Sequence, residues 1–147
     1  SKLPILIGRH AHAIFFDDVR MENTGKLLLL GVYPDILTVA DFPASVTIHA
    51  MVTIVTPVER PFKELKILCF HDDELVHKLE VDAEALHRNE GEDIMTAFRH
   101  PEIIPVTRVQ TILSLGPLEI RKPSSLRIRV QTESEILPAG ALGLLAA

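Results

Sequence analysis

From Ser45 to Thr56, every second residue is apolar on one side of an extended chain: Val46, Ile48, Ala50, Val52 and Ile54, with Thr47, His49, Met51, Thr53 and Val55 on the other. Only a period of two sorts these residues into faces, and Pro43 and Pro57 fence the run. Leu126, Ile128 and Val130 alternate with Arg127, Arg129 and Gln131, which predicts an apolar inner face and a wet, basic outer one. Val109, Thr111, Leu113 and Leu115 make a third run, expected to end at Gly116-Pro117. Helix-period patterns are scarce, so the rhythm is that of an all-β chain.

Two hairpins can be set in register. With Asn23-Thr24-Gly25 as a three-residue turn and Gly25 in the left-handed conformation, Glu22 lies opposite Lys26. The pairs then run back through Arg20 with Leu28, Asp18 with Leu30 and Phe16 with Val32. The other face holds Phe15 opposite Tyr33, Asp17 opposite Gly31 and Val19 opposite Leu29. Both faces are largely apolar, which predicts a central pair of strands. In the second hairpin a two-residue turn would mix Lys78 and Glu80 with Ile67 and Cys69. A three-residue turn of Asp72-Asp73-Glu74 instead aligns Leu65, Ile67, Cys69 and His71 with Leu75, His77, Leu79 and Val81, and is preferred.

Between Asp82 and Pro105 the alternation stops, and the residues read as one or two short helical turns inside a long connection. Such a length crosses between sheets more easily than it joins neighbouring strands. The expectation is a two-layer antiparallel β-sandwich of seven or eight strands, with an up-and-down barrel as the alternative. The 147 residues read as one domain, with residues 1–8 as an N-terminal arm. The apolar residues 136–147 supply either a final strand or a segment that docks on another subunit.

Hydrophobic residues at 47% and charged residues at 24% are those of a folded chain. A net charge of -5 opposes nucleic acid and anionic membrane surfaces as partners. No run approaches the length of a membrane span, and the chain is expected to be soluble and unprocessed. A single cysteine, Cys69, fits a reducing, cytoplasmic setting.

The residues Phe16-Asp17-Asp18-Val19-Arg20, Glu22, Gly25-Lys26 and Gly31-Val32-Tyr33 resemble the opening of a group of small bacterial proteins known only as a domain of unknown function. The likeness covers about the first third of the chain. It implies a bacterial or phage source and a small β-rich fold, and brings no activity that could be carried onto any residue.

Candidate chemistry is sparse. Asp17 and Asp18 are adjacent on a strand and so point to opposite faces, which argues against a paired-carboxylate hydrolase. The structural reading pairs Asp18 with Arg20 and sets Asp17 beside Gly31, near Tyr33. Cys69, His71 and His77 share a face and are candidate metal ligands, against the plainer reading of a buried core thiol. His10 and His12 share another face. Arg108, Arg121, Lys122, Arg127 and Arg129 are a candidate docking patch for an acidic protein or small anion, against a merely solvated surface.

Phosphate-binding, dinucleotide, nucleophile-elbow and zinc-protease motifs are absent, and no cofactor is implied. The expectation is a non-enzymatic accessory or adaptor module that binds a protein partner or a second copy of itself. The alternatives are a metal or small-ligand binder at Cys69, His71 and His77, and a hydrolase at Asp17 and Asp18.

Overall fold

The computed structural model describes residues 3–4, 7–82 and 105–147. Among them lie nine strands and no helix: β1 (His10–Met21), β2 (Leu27–Tyr33), β3 (Ile36–Val39), β4 (Ala44–Pro57), β5 (Leu65–His71), β6 (Glu74–Glu80), β7 (Val106–Ile120), β8 (Ser124–Thr132) and β9 (Ile136–Ala146). A four-stranded sheet has the order β2-β1-β4-β7, and a five-stranded sheet the order β3-β9-β8-β5-β6. The fold is an all-β sandwich. The described strands form two separate sheets and not one closed sheet, so the barrel alternative does not apply. The short helical turns expected between Asp82 and Pro105 lie outside the described residues. The strands on either side, β6 and β7, belong to different sheets.

Alternation builds the core. Ile48, Ala50, Val52 and Ile54 of β4 are buried, as are Leu113 and Leu115 of β7. They join one apolar cluster with Ile67 and Cys69 of β5 and Leu126, Ile128 and Val130 of β8. The apolar tail residues form β9, which lies between β3 and β8 and buries Ala139, Leu142 and Leu144. Its partner β3 runs parallel to it, the one parallel pair among the described strands.

The first hairpin has the register its turn dictates, from Met21 opposite Leu27 to Phe15 opposite Tyr33. Glu22 donates its N–H to the Lys26 carbonyl at 2.8 Å, and Gly25 sits at φ 86°. The hairpin is not a central pair, however. β1 is interior and, among the described residues, β2 is an edge strand with β1 as its one neighbour.

Two further expectations are corrected. In the second hairpin His71 pairs with Glu74 across a two-residue turn, Asp72-Asp73, yet Cys69 still faces His77. A register shift between Cys69 and Phe70 absorbs the extra residue, so a bulge keeps Lys78 and Glu80 off the core without a longer turn. Strand β7 does not end at Gly116-Pro117 but continues to Ile120, with a register shift where these two residues face Thr47. Gly116 lies at φ 135°, and a Cβ there would meet the Val46 carbonyl oxygen at 2.8 Å. Glycine is therefore needed for the close approach.

One end of the sandwich is closed by Arg9, whose side chain is only 2% exposed. Its Nε donates to Thr56 Oγ1 at 3.0 Å, and Nη2 donates to the Pro61 and Arg60 carbonyls at 3.0 and 3.2 Å. Nη1 forms an ion pair with Glu133, and the guanidinium stacks 4.6 Å from the Phe62 ring centre. One side chain thus ties the entry to β1 to the end of β4, the β4–β5 connection and the β8–β9 turn. The hydrogen bond from Arg9, aided by one from the Lys63 N–H, outweighs desolvation and holds Glu133 well below the carboxylate range, at about 2.

Because that folded value lies below the ordinary 4.5, the Glu133 contribution is complete above the unfolded value and is lost as pH falls from about 4.5 towards about 2. Arg9→Ala should flatten this acid dependence in denaturant melts. At neutral pH it should cost about 3 kcal/mol, the lower end for breaking a buried pair, because Glu133 keeps some contact with water.

Candidate functional site

Among the described residues, the far end of the sandwich holds a cleft. Register puts Leu65 of β5 beside Thr132, near Arg9, and His71 at the other end beside Leu126. There the cleft, of about 410 Å³, lies between the β5–β6 turn, the end of β7 and the start of β8. His71 and Ser124 line it, with Nε2 and Oγ 3.0 Å apart. Asp72 and Glu74 contribute carboxylates and the β7–β8 connection contributes Arg121 and Lys122, while Val76, Pro117 and Leu118 supply apolar wall.

Local geometry holds this rim. Asp72 adopts φ 52°, a left-handed conformation that Asp tolerates better than most residues. Its N–H donates to the Ser125 carbonyl at 2.9 Å, and its Oδ1 accepts from the Ser125 N–H at 3.0 Å. Arg127 donates to the Asp72 carbonyl at 2.8 Å. The tight turn of β5–β6 is thereby fixed to the start of β8.

The five cations expected to form one patch are divided. Arg127 and Arg129 lie on the outer face of the five-stranded sheet, 5.9 and 5.5 Å from the Phe70 ring centre. Arg121 and Lys122 border the cleft, and Arg121 pairs with Glu119 at 3.1 Å. Arg108 is on β7 of the other sheet, opposite Val55. Arg108 would widen a patch around Arg127 only from a neighbouring strand, and β7 and β8 lie in different sheets.

Cys69 is wholly buried in the core, and burial pushes its thiol up to about 11. It faces His77 across the hairpin, but His71 is engaged with Ser124. Among the described residues no three His, Cys, Asp or Glu side chains are placed to hold a metal ion. His10 and His12 lie opposite Val55 and Thr53, and both are exposed.

Asp17 and Asp18 diverge, and each has its own partner. Asp18 pairs with Arg20 at 3.0 Å. Asp17 accepts the Tyr33 hydroxyl and fills the space above Gly31, which lies at φ 67°. Desolvation, together with that hydrogen bond and the Asp17 charge, pushes the Tyr33 hydroxyl up to about 12. Lys26 pairs with Glu22 across the turn at 3.3 Å. The hairpin residues therefore hold one another.

The Arg9 clasp and the roles of Glu74 and Ser124 at the cleft had no local signal, since each depends on residues distant in the chain. No protein-family model matches the chain, and no curated protein matches it. Among the described residues, no helix is long and apolar enough to cross a membrane.

A buried thiol with a raised pKa is a poor nucleophile. Cys69 should therefore stay unmodified by a thiol-reactive chromogenic disulfide at neutral pH until denaturant unfolds the protein. Rapid labelling of the folded protein would contradict its burial.

Proposed function

We propose that the protein is a non-enzymatic binding module that joins protein chains along the open edge of its four-stranded sheet, with a second copy of itself as the occupant. One observation carries this reading: Leu28, Leu30 and Val32 of edge strand β2 are 46%, 43% and 51% exposed. Natural edge strands are commonly blunted by charge or proline, and β2 contains neither. Three large apolar side chains in a row on such an edge mark an interaction surface.

Charge supports the choice of occupant. Lys26 precedes β2 and Asp35 follows it. A two-fold antiparallel pairing brings Lys26 of each copy, besides its own Glu22, towards Asp35 of the other. The division of the arginines between surfaces leaves β2 as the better-supported contact. A cytoplasmic setting and membership of the bacterial group that the hairpin resembles belong to the same proposal. The single reduced cysteine supports the first, and the hairpin residues support the second.

Native mass spectrometry tests the contact. The protein should be a dimer, and Leu30→Lys should convert it to a monomer with an unchanged β-sheet circular dichroism spectrum. A wild-type protein that stays monomeric as its concentration is raised would remove the β2 edge as a self-association site.

A further inference from the structure

We propose that the cleft beside His71 binds a small zwitterion of the α-amino acid class. The argument rests on which of its charges already have partners. Glu119 is paired with Arg121 at 3.1 Å, and Asp72 accepts from the Ser125 N–H at 3.0 Å. Among the described residues, the charged side chains of the lining that neither an ion pair nor a hydrogen bond engages are Glu74, at the start of β6, and Lys122, in the β7–β8 connection. They have opposite sign.

A ligand that satisfies both must carry an ammonium for Glu74 and a carboxylate for Lys122. An anion alone would meet the carboxylates of the rim, and a cation alone would leave Lys122 unmatched. In the same lining Ser124 and His71, 3.0 Å apart, offer a hydroxyl and an imidazole, each able to donate or accept a hydrogen bond to the ligand. Val76 and Leu118 give the side chain an apolar wall, and about 410 Å³ lies within the range of small-molecule sites. The ligand class that fits is a free amino acid with a small or aliphatic side chain.

The test is titration of the full chain, followed by two-dimensional amide NMR, with glycine, alanine, valine and leucine. Isovalerate and isobutylamine serve as controls that keep only one of the two charges of valine. At least one amino acid should give saturable shifts confined to the residues around His71, Glu74 and Ser124, with both controls weaker by about tenfold or more, a difference of about 1.4 kcal/mol. Glu74→Gln and Lys122→Gln, both surface changes, should each weaken binding by a similar factor while the spectrum stays dispersed. Absence of saturable shifts with all four amino acids would overturn the proposal. So would equal binding of a single-charge control, or shifts that survive both substitutions. The β2 contact is at a different surface, so its variant leaves this titration unchanged.

Discussion

Each sheet of this sandwich has one dry face, and the period-two alternation of its strands decides which residues occupy it. Ile48, Ala50, Val52 and Ile54 go inward as a set, and so do Leu126, Ile128 and Val130. A slip of one residue would turn each set outward, so burial of the apolar set specifies register strongly. The bulges follow from this constraint. Between Cys69 and Phe70, and opposite Thr47, the ladder shifts by one residue, and the inward residues on both sides stay inward.

The two ends of the sandwich solve different problems. At one end the Arg9 side chain is buried among backbone and side-chain acceptors, and losing its ion-pair partner Glu133 would leave its charge uncompensated. At the other end the tight Asp72-Asp73 turn is held to β8 through Ser125, and the space between the sheets opens into a cleft with polar and charged walls.

Much of the fold was legible because it is local. The Asn23-Thr24-Gly25 turn needs a left-handed residue, Gly25 supplies it, and the pairing of Phe15 with Tyr33 follows. The second hairpin was legible in its body and not in its turn, because the bulge beyond Cys69 shortens the turn and brings Val76 to the core in place of Leu75, which is exposed. The apolar content of β2 was read as a sign of burial. Its strand neighbour on one side is β1, and on the other side the described residues provide none. Hydrophobicity shows that a surface favours cover, and does not show whether the same chain supplies it.

The candidate site was less legible for the same reason. Arg127 and Arg129 share a face because they are two apart on one strand, and that much is encoded locally. Whether Arg108 joins them depends on which strands are neighbours, a matter of non-local pairing. By itself the sequence determined the strand periodicity, the all-β class and the register of the first hairpin, since each follows from steric preferences within a few residues. Only the tertiary structure decided the order of strands in the sheets, the burial of Arg9 among three distant segments, and the meeting of His71, Glu74, Lys122 and Ser124 at one end. These depend on contacts between residues tens of positions apart, and no local pattern of charge or hydrophobicity records them.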